Sequence, residues 1–342
     1  MNVSEFLQRE RFFIWALAGL LFLLFLTVTG PGMKGEGSAS SPAPYFSAAE
    51  VIPAIRSGRV SPLVIELLCL LSVVSLTFFV TGVTLNLSGW LRKNWRMFSP
   101  GETPRVEWGV WPVVKIFVYF YFWILLFQIL GGAVVEFIGL SRARLYALSL
   151  VSNAFFQYGL IIVLVYGYLK KSGYSPSALR LKFTRWFFCF RQALRGYVVF
   201  FPFFIILSVA SIVLTQALGL HFKSHPLVGP LLEKGQPAYV GILFCLAVFF
   251  APVVEEIFFR GFLYPAMKRR VSVPWAIFIS AALFSTLHLT WSGWLPILGL
   301  GMLLAYSYEK TGSLLVPIFI HSVHNALFLT YAALSYRILG NV

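Results

Sequence analysis

Long apolar runs recur along this chain, and they constrain its fold more than any other feature. Windows of about 17 or more mostly apolar residues, enough to cross a hydrocarbon layer roughly 30 Å thick, occur near 12–30, 62–85, 110–138, 145–169, 196–218, 238–259, 274–290 and 313–334. A shorter candidate lies at 294–308. Inside a bilayer every backbone N–H and C=O needs a partner within the protein, so runs of this kind read as helices. The expected fold is an all-α polytopic membrane protein with eight or nine transmembrane helices. Of the 342 residues, 59% are hydrophobic and 11% charged, a balance that excludes both a soluble globular domain and a disordered chain. Arg9 and Arg11 precede the first run and small residues (SASSPA) follow it, as in a secretory signal. Its apolar core is longer than a signal's, and it is read as a retained helix.

A net charge of +15 raises the question of a nucleic-acid partner. The basic residues are spread between the runs, however, and gather on no soluble domain. With nine spans and a cytoplasmic N-terminus, one side collects Arg9, Arg11, the Arg92 to Arg105 group, the Lys170 to Arg195 stretch, Lys268 to Arg270 and Lys310. That asymmetry follows the positive-inside rule, so membrane orientation explains the charge and no nucleic acid is expected. The expected location is multi-pass in a cell (inner) membrane, with the Lys170 to Arg195 stretch along the anionic inner leaflet. Cys69, Cys189 and Cys245 show no paired spacing and read as packing residues. The Gly-, Ser- and Pro-rich connector at 31–61 reads as a flexible loop on the other side.

Residue types then narrow the chemistry. All twelve acidic residues are Glu, which removes paired-aspartate proteolysis and every DxD element. A P-loop, an HExxH zinc element and a GxSxG nucleophile elbow are also missing from the sequence. What remains inside apolar runs is Glu255, Glu256, Arg260, His288, His321, His324 and Asn325. Ionisable groups at membrane depth are costly, so they face a cavity and serve function by default. The competing reading, interhelical polar glue, suits a lone pair better than seven residues on three runs.

Helical spacing gives these residues different tasks. Glu256 and Arg260 are i and i+4, on one face of the helix, and should form an ion pair. Glu255 lies about 140° around the helix from Arg260 and is free for another partner. Counting from the basic turn at Lys268 to Arg270, Glu255 and His288 both fall roughly 20 Å deep, at about 1.5 Å per residue. His321 and Asn325 share a face of the last run. His324 is out of register with His321 and reads as a packing or supporting histidine, and Phe284 as packing. His221 and His225, in the loop at 219–237, carry no signal.

EEIFFR (Glu255, Glu256, Arg260), FSTLH (Phe284 to His288) and HSVHN (His321 to Asn325) resemble, in order, the EExxxR, FxxxH and HxxxN motifs of the CAAX prenyl endopeptidase and bacteriocin-processing (CPBP) intramembrane protease family. The resemblance covers roughly 190–335. It implies a conical helix bundle around an intramembrane catalytic core. It also implies that Glu255 activates a water, with His288 assisting, while His321 and Asn325 donate to the developing oxyanion and Glu256 and Arg260 support the site.

The expected organisation is therefore 1–140 as helices outside the motif region, 141–195 as a helix plus basic linker, and 190–335 as the protease-like core. The expected function is a glutamic-type intramembrane endopeptidase that cuts a membrane-associated protein or peptide and needs no cofactor. Two alternatives stay open. Glu255, His288 and His321 are also a plausible zinc set, and a non-catalytic transporter, scaffold or immunity protein would use the same residues structurally.

Overall fold

The computed structural model describes residues 10–22, 61–92, 96–102, 104–138, 142–219, 237–288 and 291–339. The connector at 31–60, the segment 220–236 with His221 and His225, and residues 23–30 of the first apolar run lie outside the described residues. Every regular element among the described residues is helical. Six helical stretches there are long and apolar enough to cross a membrane: Pro62–Arg92, Val110–Gly131, Val151–Lys171, Pro176–Ala217, Gly241–Lys268 and Leu315–Ser335. The chain is a multi-pass membrane protein.

Two compact units are present. The first comprises Met1–Ala39 and Glu107–Pro176. It contains α1 (10–22), α3 (Val110–Ile138) and α4 (Arg142–Lys171). Lys115 on α3 reaches Glu10 on α1, and Phe127 stacks on Phe156 across α3 and α4 at 4.1 Å.

The second unit, Ser40–Val106 and Ser177–Val342, holds all three motifs. Its helices are α2 (Pro62–Arg92), α5 (Trp186–Ala217), a continuous rod over 237–268, α9 (Val273–Leu287), α10 (Trp291–Thr311) and α11 (Leu315–Leu339). Two expectations are refined. The run at 274–290 becomes the 15-residue α9, about 22 Å long at 1.5 Å per residue. The candidate at 294–308 becomes the 21-residue α10.

α10 is the central helix of this unit. One face packs Leu300, Leu303 and Leu304 against Ala193, Tyr197 and Phe201 of α5 and Leu315, Val316 and Ile320 of α11. Another packs Ala305 and Tyr308 against Ala276 and Ile277 of α9 and Tyr264 of the rod. At one end of the unit the Tyr308 hydroxyl donates to Leu179 O, Leu314 N–H donates to Arg180 O, and Gly101 N–H donates to Lys310 O. Arg105, Lys268 and Arg269 line a cavity of about 260 Å³ at this end. Two basic groups assigned by charge asymmetry to one side therefore do share a location.

α2 is held to α5 by a close approach. Pro202 interrupts α5 and has no N–H to bond Val198 O. Gly82 of α2 lies against that carbonyl and the Pro202 ring, and a Cβ there would collide with both. Asn86, one turn on, donates from Nδ2 to Val199 O at 2.9 Å. Gly82→Leu should lower the thermal unfolding midpoint in detergent, with an overpacking penalty of about 1–3 kcal/mol. Gly167→Ala in α4, where a Cβ meets open space, should leave the midpoint unchanged or raise it. Equal midpoints in the two variants would remove this role from Gly82.

Candidate active site

The rod that carries the glutamates is not a uniform α-helix. It runs α6 (Pro237–Cys245), a π-helical turn (Leu246–Phe250), α7 (Ala251–Glu256), a second π-helical segment (Ile257–Leu263) and α8 (Tyr264–Lys268). Proline explains both widenings. Pro252 and Pro265 each stand just inside the α-helical turn that follows a π segment. A proline ring collides with the carbonyl four residues earlier, and one extra residue per turn relieves the collision. Glu255 and Glu256 therefore sit on a six-residue α-helix clasped between two π segments.

Glu256 and Arg260 are wholly buried, with Glu256 Oε1 2.8 Å from Arg260 Nη1. Arg260 Nη2 donates to the carbonyl of Gly301 on α10 at 3.2 Å, and its guanidinium lies over the Phe284 ring at 4.4 Å. A buried pair is tolerable only when its remaining hydrogen-bonding capacity is largely used, and α9, α10 and α11 all contribute here. From α11, His321 Nδ1 lies 3.0 Å from the same Glu256 oxygen. With Nδ1–H donated to Glu256, the His321 ring presents Nε2 on its far side. That nitrogen accepts a proton when the ring is neutral and donates when it is charged.

Glu255 faces differently. Its side chain is 29% exposed, against 0% for Glu256, and its Oε2 stands 3.9 Å from His321 Nε2. That separation is too long for a direct hydrogen bond but lets one small molecule contact both atoms. Glu255 Oε2 and Glu256 Oε2 are buried oxygens with no protein donor.

His288 caps the C-terminal end of α9, and its Nδ1–H donates to Phe284 O at 2.8 Å. Its Nε2 is thereby left as an acceptor. His288 joins the site through Phe284, whose ring centroid is 4.5 Å from His288, 5.6 Å from His321 and 5.1 Å from Phe259. Phe284, read from the sequence as packing, is a buried wall shared by both histidines and the arginine. Asn325 donates from Nδ2 to Ala247 O at 2.8 Å, one turn from His321 on α11. His324 packs against α5, where the Tyr197 hydroxyl lies 3.1 Å from its Nδ1 and Phe204 and Phe328 flank it.

The structure thus gathers Glu256, Arg260 and His321 by direct contact, Glu255 at 3.9 Å from His321, His288 through an aromatic wall, and Asn325 through the backbone of the glutamate rod. Sequence reasoning missed Gly301, whose carbonyl holds Arg260. It also missed Glu309, which is buried and bound to Lys268 at 2.7 Å and to the Tyr264 hydroxyl at 2.9 Å. Glu309 and Tyr264 are 45 positions apart, so no local spacing signals that contact. Among the described residues, no three His, Cys or Glu side chains are grouped as a metal ion would require.

Residues 237–327 match the family described as type II CAAX prenyl endopeptidase Rce1-like. The matched segment begins at the rod and extends past Asn325, so it contains all three motifs. This region of the chain is therefore similar to the CAAX prenyl endopeptidases. No curated protein and no solved structure matches the chain.

Arg260→Met should destabilise the protein strongly, since removing one partner of a buried ion pair costs about 3–5 kcal/mol. Glu256→Gln with Arg260→Met should recover part of that loss in a thermal unfolding cycle. A double variant no better than Arg260→Met would show that the arginine acts through Gly301 and Phe284 alone.

Proposed function

We propose that this chain is an intramembrane endopeptidase of glutamic type, hydrolysing a peptide bond of a membrane-associated protein or peptide. One observation carries the reading: Glu255 is the partly exposed carboxylate of the pair, its Oε2 lacks a protein donor, and it stands 3.9 Å from His321 Nε2. The similarity of residues 237–327 to type II CAAX prenyl endopeptidases supports the reaction class.

In this reading the motif residues take the roles that the resemblance implies. A water bound between Glu255 and His288 gives a proton to Glu255 as its oxygen attacks the scissile carbonyl carbon. The carbonyl π bond opens and its oxygen becomes an oxyanion. His321, its Nδ1–H held by Glu256, donates Nε2–H to that oxyanion when the ring is protonated. Such donors, fixed in place before the reaction, supply several kcal/mol of barrier lowering. Collapse re-forms the carbonyl, breaks the C–N bond, and returns the proton from Glu255 to the leaving amine. Glu256 and Arg260 touch no substrate; they hold His321 and the rod.

Glu255→Gln should lower cleavage by about 10²-fold or more while the unfolding midpoint stays near wild type. The assay compares new peptide ends in the membrane proteome of cells expressing wild type or Glu255→Gln, together with cleavage of a fluorogenic prenylated CAAX peptide and its unprenylated form by purified protein. The absence of any Glu255-dependent fragment would overturn the proteolytic reading. Cleavage abolished by chelation and restored by zinc would replace the metal-free mechanism with zinc chemistry on the same residues.

A further inference from the structure

Asn325 is committed to a backbone carbonyl, and the reason lies in Pro252. In a π turn each carbonyl accepts from the N–H five residues later, and in an α-helix from the N–H four residues later. For Ala247 O these donors would be residue 252 and residue 251. Residue 252 is a proline and has no N–H. The N–H of Ala251 is used by Leu246 O in the π turn. Ala247 is buried, so its carbonyl also lacks water, and an unpaired buried carbonyl is costly. Asn325 Nδ2 fills that vacancy at 2.8 Å from the neighbouring helix.

The location gives this repair a purpose. Pro252 lies three residues before Glu255, and the π turn of Leu246–Phe250 sets the rotation with which α7 begins. Without that donor the π turn would open, since the Pro252 ring bars relaxation to α-helical winding, and a one-residue change in winding turns the following side chains by about 100° around the axis. α11 therefore grips the glutamate rod on both sides of Glu255. Asn325 holds Ala247 O upstream and His321 holds Glu256 downstream.

We infer that Asn325 is a positioning residue: by replacing the N–H that Pro252 lacks, it sustains the π turn that aims Glu255 at His321. This deepens the proteolytic reading and rests on it for the link to rate. It differs from a direct donor role in one respect that can be tested. If Asn325 only supplies a missing backbone donor, restoring that donor in the backbone makes the side chain dispensable.

The experiment is a double-variant cycle on the full-length protein in lipid nanodiscs. Asn325→Ala should speed amide hydrogen exchange at Ala251 and lower kcat for the fluorogenic peptide about 10²-fold, the scale set by small misplacement of a reacting group, with KM little changed. Pro252→Ala returns an N–H to Ala247 O, so in that background Asn325→Ala should change neither the exchange protection nor kcat relative to Pro252→Ala alone. Pro252→Ser, which also carries an N–H, serves where Pro252→Ala yields no folded protein. A double variant as protected as the Pro252 single variant but with a much lower kcat would overturn the inference and make Asn325 a direct donor to the reacting atoms. Unchanged exchange in Asn325→Ala would overturn it too. Should wild type show no Glu255-dependent cleavage, the proteolytic reading fails by itself, and the exchange cycle still decides whether Asn325 sustains the π turn.

Discussion

The buried pair of Glu256 and Arg260 is the contact on which the second unit depends. Two full charges at membrane depth are tolerable only if each meets the other and further partners lie nearby. Those partners are a carbonyl from α10, a ring from α9 and an imidazole from α11, while Glu256 Oε2 and Arg260 Nε have no protein partner. Once these are in place, three helices are registered against the rod, and the neighbouring Glu255 is left partly exposed beside His321. The pair is thus less a source of net stability than a device that fixes which side chains meet.

The spacing-based part of this arrangement was legible in the sequence. Glu256 and Arg260 at i and i+4 foretold their contact, and the angular offset of Glu255 foretold its separation from Arg260. Apolar run lengths foretold the helical membrane fold. What stayed hidden depends on non-local backbone chemistry. Nothing in HSVHN says that Asn325 meets Ala247, because that carbonyl is orphaned only when the rod is wound as a π turn ahead of Pro252. Phe284 read as packing because a phenylalanine in an apolar run nearly always is, and its role as a wall appears only when Arg260 and both histidines arrive from other helices. Glu309 stands next to Lys310 in sequence, yet its carboxylate turns inward to Tyr264 and Lys268, which no local spacing signals.

A common device appears twice in the second unit. Pro202 disrupts the ladder of α5, and an asparagine of α2 donates to Val199 O next to the break. Pro252 leaves Ala247 O unpaired in the rod, and an asparagine of α11 donates to it. A side-chain amide is suited to this: it carries two hydrogens and adds no charge to a low-dielectric interior. Both breaks thereby become interhelical fastenings, so the helices they join are specified by hydrogen bonds as well as by apolar packing.

The brevity of α9 has a consequence for the surrounding lipid. At about 22 Å it falls short of the roughly 30 Å hydrocarbon layer, and His288 caps its end. Hydrophobic mismatch of that kind draws the polar interface inward, by local thinning or by headgroups settling over the short helix. Either response would bring solvent toward the histidine end of the site. Bilayer thickness becomes a property to which hydration of this site responds, and the same protein in a thicker membrane would hold a drier one.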